Sequence, residues 1–245
     1  MTLSAPRWDM TNAYPSLEST EFKAAFEDFK RQIADLGTFF DEQIAATTPK
    51  TSAKKLAALL GDVVDRLNAV QTQAYTLGPY ISCHVDTNSR DAVALKAESE
   101  FEQAYLPLRQ VFVRFKGWLS KLTPSLDKII ALNPTAVAHA FIIKENADQS
   151  KYLMGEAEEA LAAELSLSGG SAFGKLQGTV TSQLSVDFEL DGKVEKMPMP
   201  ALINLRSHPD AEVRRRGYEA ENKAWESVKE VLAACMNGVK GETIA

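Results

Sequence analysis

Apolar residues recur every three or four positions along most of this chain, and that periodicity constrains the fold more than any other feature. Phe22, Phe26, Phe29, Ile33, Leu36, Phe40 and Ile44 form one such run. A 3/4 alternation puts all seven on one face of a helix about seven turns long. Ser19 or Thr20 is placed to cap it, and Pro49 follows its end. A second run, Leu56, Leu59, Leu60, Val63, Leu67, Val70, Ala74 and Leu77, has Ser52 as its cap and Gly78-Pro79 as its stop. Two such helices joined by a short loop make an antiparallel hairpin. The third run, from Val93 through Phe101, Leu108 and Phe115 to Leu122, opens after Asn88-Ser89 and contains Pro107, which predicts one bent helix rather than two.

Beyond Leu122 the pattern shortens. Helical pieces are expected over about 134–144 and 150–167, a break at Ser168-Gly169-Gly170-Ser171, and a further short helix toward Thr181. The clear strand signal is Leu184-Ser185-Val186-Asp187-Phe188-Glu189-Leu190, which alternates strictly and ends in the turn dipeptide Asp191-Gly192. A two-residue loop would set Val186 opposite Met197 and Asp187 opposite Lys196, which is sensible. It would also set Phe188 opposite Glu195 and Glu189 opposite Val194, which is not, so the register stays open. A short apolar piece over 201–205 precedes the last helix. There His208-Pro209-Asp210-Ala211-Glu212 predicts a start with proline in the first turn and acids near the positive dipole end. Its stripe of Val213, Gly217, Ala220, Ala224, Val228, Val231 and Cys235 is joined by Trp225, Leu232, Met236 and Val239, and so widens along the helix. The helix runs to Ala245 without a closing polar segment, which reads as an interruption.

The fold class is therefore mainly α, with long antiparallel helices and one small β-hairpin near 184–197. Only 13 Gly and 10 Pro in 245 residues agree with that, because sandwiches and barrels need many turn residues. Two domains are expected: an antiparallel helical one over 1–183, and a hairpin plus long helix over 184–245.

Composition narrows the partners. With 27 Lys and Arg against 33 Asp and Glu, the net charge of −6 repels a phosphate backbone, so nucleic acid is not expected. No stretch approaches the ~20 apolar residues of a membrane span, and the first residues lack the basic and apolar regions of a signal peptide. Cys83 and Cys235, without disulfide-like spacing, read as buried reduced thiols of a cytoplasmic protein.

The chemical motifs are sparse. Gly169-Gly170-Ser171-Ala172-Phe173-Gly174-Lys175 has phosphate-loop spacing, but Leu176 stands where a hydroxyl must hold Mg²⁺ and a helix precedes it in place of a strand. It reads as a helix-breaking turn. His84, His139 and His208 are too far apart for zinc-ligand spacing, and H-E-x-x-H is absent. Ser171 does not sit in a G-x-S-x-G elbow. Glu156, Glu159 and Glu164 form a solvated helix face, and Arg214, Arg215 and Arg216 lie among acids, with Glu212 and Arg216 spaced as an i,i+4 pair. No catalytic or metal-binding residue is assigned.

Five segments, taken in order, resemble the N-terminal half of the oligoendopeptidase F family of zinc metallopeptidases, relatives of thimet oligopeptidase. Trp8-Asp9-Met10-Thr11-Asn12-Ala13-Tyr14-Pro15 is similar to the family's opening W-D-L-s-x-x-Y-P. Leu165-Ser166-Leu167-Ser168-Gly169-Gly170-Ser171-Ala172-Phe173 resembles L-S-x-S-G-x-x-A-W, with Phe173 in place of Trp. Thr181-Ser182-Gln183-Leu184-Ser185-Val186 resembles its strand entry, and Asp210-Ala211-Glu212-Val213-Arg214 a helix start. The last, Met236-Asn237-Gly238-Val239-Lys240-Gly241-Glu242, resembles L-N-x-i-K-G-E. The resemblance implies a clam-like helical enzyme whose channel admits short peptides. In the family, zinc is held by H-E-x-x-H and a later glutamate of the C-terminal half, none of which lies in this sequence. The chain would then be the substrate-restricting N-terminal part, with a missing catalytic half as its partner and zinc only in the parent enzyme. The rival expectation is a stand-alone helical peptide-binding or scaffolding module without catalysis.

Overall fold

The computed structural model describes residues 9–48 and 50–244; Trp8, Pro49 and Ala245 lie outside them. The chain is mainly α, with one two-stranded antiparallel hairpin. It forms two compact units, Met1–Leu161 and Ala162–Ala245.

In the first unit, α1 (Thr20–Phe39) is capped by Ser19, whose hydroxyl accepts from the Phe22 N–H. The stripe continues through a π-helical turn, Phe40–Ile44, closed by Ala45 N–H on the Phe40 carbonyl at 2.9 Å. That wider turn brings residues four apart into line, so Phe40 and Ile44 are both buried. Ser52 caps α2 (Ala53–Thr87), and Asp91 caps α3 (Ala92–Leu122), which opens after Asn88-Ser89 and runs unbroken through Pro107. Phe22 meets Tyr80, and Phe39 meets Arg66, so α1 and α2 run antiparallel. Phe29 stacks on Phe101 and Phe40 lies under Arg114, so α1 and α3 run the same way. Phe29, Leu36, Leu60, Leu77, Leu108 and Leu119 fill the space between the three helices. Each such side chain contributes about 1.5–3 kcal/mol by leaving water.

The expected stop at Gly78-Pro79 is corrected: α2 passes through it and continues to Thr87. Proline removes one backbone hydrogen bond there. The turn beyond it compensates by burying Tyr80 and Ile81, with the Tyr80 hydroxyl donating to the Tyr14 carbonyl at 2.9 Å. Gly78 serves packing, since a Cβ there would stand 3.1 Å from the Phe101 ring.

Smaller helices close the unit: α4 (Leu126–Ile130), α5 (Pro134–Ala138) and α6 (Ala140–Gln149). The piece expected over 134–144 is thus broken at His139, and the next one starts later than 150, as α7 (Glu156–Ser168).

In the second unit, α8 (Gly170–Gln183) packs along α10 (Ala211–Ile244), and Phe173 occupies the space left by Gly238. The hairpin of β1 (Ser185–Leu190) and β2 (Lys193–Pro198) has the two-residue register, Val186 opposite Met197 and Phe188 opposite Glu195. Asp191 (φ 52°) and Gly192 (φ 75°) take the paired positive φ that this tight turn demands. The unfavourable pairs are tolerated because α10 covers β1 and leaves β2 exposed: Phe188 is buried while Glu195 and Val194 face solvent. The short apolar piece becomes α9 (Met199–Asn204), joining Phe188, Leu205, Val213 and Ala224 in a small core. Pro209 precedes α10 by two residues rather than lying in its first turn, and the Asp210 carboxylate accepts from the Glu212 N–H at 2.8 Å.

Candidate functional site

The segment from Asp9 to Pro15 helps to build a cavity of the first unit. Asp9 begins it with a tight turn, its carboxylate accepting from the Thr11 N–H at 2.9 Å and hydroxyl at 2.7 Å. Those two bonds hold the Asp9 carboxyl below the usual range, so it is anionic at neutral pH. The turn delivers Tyr14 onto α1 and α2, edge-on to Phe22 at 5.5 Å and to Tyr80 at 5.1 Å. Burial pushes both phenols up, Tyr14 and Tyr80 alike, and keeps them neutral.

One turn on, the His84 ring stands 4.8 Å from that of Tyr80, with Nε2 buried and without a hydrogen-bond partner among the described residues. Asp9, Tyr14, Tyr80 and His84, with Cys83 and Asp86, line about 780 Å³. The volume suits one small ligand or side chain. With two carboxylates and no Lys or Arg among the described residues of its lining, the cavity favours an apolar or cationic group over an anion.

The second unit brings the 165–173 and 236–242 segments together. The Ser166 hydroxyl and the Gly170 N–H both donate to the Glu242 carboxylate and hold it below its ordinary value. This arrangement settles the fate of the glycine-rich loop. The N-terminus of α8, where a phosphate would sit, is occupied by the chain's own carboxylate.

The remaining residues considered from sequence are dispersed. Asn68 donates to His139 Nε2 at 3.1 Å while His139 Nδ1 donates to the Thr135 carbonyl, and His208 Nδ1 accepts from the Asp210 N–H. Glu158 and Glu159 cap the start of α7 through the N–H groups of Gly155 and Met154. Cys235 is buried; Cys83, expected to be buried, is exposed, and both are free thiols.

Arg215, not Arg216, pairs with Glu212, and also with Glu219 at 2.5 Å. Arg216 instead lies over the Phe188 ring at 5.4 Å, because β1 covers its side of the helix. Arg214 donates to the His208 and Pro209 carbonyls.

Among the described residues, no three His, Cys, Asp or Glu side chains gather as a metal ion requires, so no step through zinc is derived for this chain. Nor does any helix of the described residues have the length and apolarity to cross a membrane. One polar site went unforeseen. Glu221, buried on α10, takes a forked ion pair from Arg206 and a bond from the Trp225 indole N–H at 3.2 Å. Its only sequence signal is the four-residue spacing of Glu221 and Trp225.

No family model, no curated protein and no solved structure matches this chain.

Proposed function

We propose that the chain is the N-terminal, substrate-restricting part of a zinc-dependent oligoendopeptidase that hydrolyses short peptides, with the H-E-x-x-H half lying outside these 245 residues. The order of the five family-like segments carries this reading. Contacts between two of them support it: Ser166 and Gly170 meet Glu242, and Phe173 meets Gly238. The widening stripe of α10 supports it too, since Val231, Met236 and Val239 are 40%, 59% and 40% exposed on the stripe that a further half would cover.

On this reading the helices restrict which peptides enter, and the bond-breaking groups belong to the other half. We infer a cytoplasmic setting from the two free thiols. Zinc content and peptide cleavage, measured on the 245-residue chain, test the division of labour. Neither bound zinc nor hydrolysis is expected; stoichiometric zinc, or cleavage abolished by a chelator, would sink it. The coding sequence downstream should contain H-E-x-x-H, and its absence there would overturn the family reading.

A further inference from the structure

A second pair of cavities in the first unit has the opposite electrical character. They measure about 330 and 470 Å³ and share Thr47, Trp118 and Lys121. The indole N–H of Trp118 donates to the Thr47 hydroxyl at 3.1 Å, and that hydroxyl donates to the Ile44 carbonyl at 2.7 Å, so both groups are fixed and satisfied. The larger cavity adds Thr48, Thr51 and Lys128 over an apolar floor that includes Leu56 and Leu122.

Among the described residues neither cavity has a carboxylate on its lining, although the chain carries six more acids than bases. Lys121 and Lys128 form no ion pair among the described residues; the nearby Arg114 is already paired with Asp41 at 2.5 Å, and Asp127 with Lys144 at 2.7 Å. Thr51 accepts from the Thr48 N–H at 2.9 Å and Thr48 from the Lys50 N–H at 3.3 Å, which leaves the proton of each hydroxyl for an outside acceptor. Four uncommitted donors, two of them cationic, therefore line one cavity beside an aromatic wall. The first turn of α2, also at this wall through Ala53, contains no acid to oppose an incoming negative charge.

We propose that this cavity binds a small phosphorylated molecule: the phosphate is taken by Lys121, Lys128 and the Thr48 and Thr51 hydroxyls, and an attached apolar group lies against Trp118. A phosphate suits the site better than a carboxylate, because its charge of about −1.5 to −2 matches two lysines and its third terminal oxygen spreads the acceptors over donors on separate segments. The proposal is independent of the peptidase reading.

Calorimetric titration of the full chain with phenyl phosphate at low salt tests it. Saturable binding is expected, with Kd below about 1 mM. Lys121→Gln and Lys128→Gln should each weaken it roughly 3- to 10-fold. Both lysines are exposed, so unchanged melting of the variants is the control for folding. Phenol should not bind, and inorganic phosphate should bind more weakly than phenyl phosphate. Failure to bind with a Kd below about 1 mM, or variants that both bind as tightly as the parent, overturns the site. Inorganic phosphate binding as tightly as phenyl phosphate overturns the role given to Trp118.

Discussion

Glu221 shows what one residue contributes at depth. It is 3% exposed, and the Arg206 guanidinium, followed by the Trp225 indole, holds its carboxyl below the usual range. A carboxyl depressed in the folded state adds stability above its unfolded pKa of about 4.3, and that contribution disappears as the pH falls through the lower folded value. Glu221→Gln should therefore cost about 1–3 kcal/mol at pH 7. Acid should then remove less from the variant than from the parent, because the variant has already lost that charge. Thermal melts of both proteins at neutral and acidic pH check this; parallel losses on acidification would place the acid sensitivity elsewhere. The carboxylate of Glu242 is lowered as well, by Ser166 and Gly170, so some acid sensitivity should persist in the variant.

Helix α2 shows how tertiary burial overrides a local stop signal. Pro79 is exposed while Tyr80 and Ile81 behind it are buried, so the helix is held by its neighbours across a proline that does nothing for it locally. Pro79→Ala should restore one N–H and stabilise the chain by about 1–3 kcal/mol, read as a higher urea midpoint. A lower midpoint would show that the proline ring itself is needed. The three long stripes, the Ser19 and Ser52 caps and the hairpin turn were legible in the sequence because each depends on residues within a turn or two. The passage through Pro79 and the break at His139 were not, since they depend on what the segment packs against. Nor was the Trp118 cavity, whose hydrogen bond joins residues 71 positions apart, or the Arg206–Glu221 pair, whose partners lie on separate elements. The register of the hairpin was legible only as one option. It became sensible once α10 was seen to cover a single strand.

At the scale of the whole molecule, the chain holds two cores rather than one. The first is closed by α1 to α6, so a chain ending at Gly155 should still unfold cooperatively in urea, with an m-value scaled to its smaller surface. A broad, non-cooperative loss of helix would show that the first core cannot stand without residues 156–245. The hairpin of the second unit has a different consequence, for encounters between copies. Among the described residues the outer edge of β2 has no strand partner, and such an edge is a template for another molecule's strand. Here that edge presents Lys193, Glu195 and Lys196 around an exposed Val194 and ends at Pro198, which has no N–H to offer. Crowded copies therefore meet charge and a missing donor where they would otherwise zip together, and the hairpin resists aggregation at its barest edge.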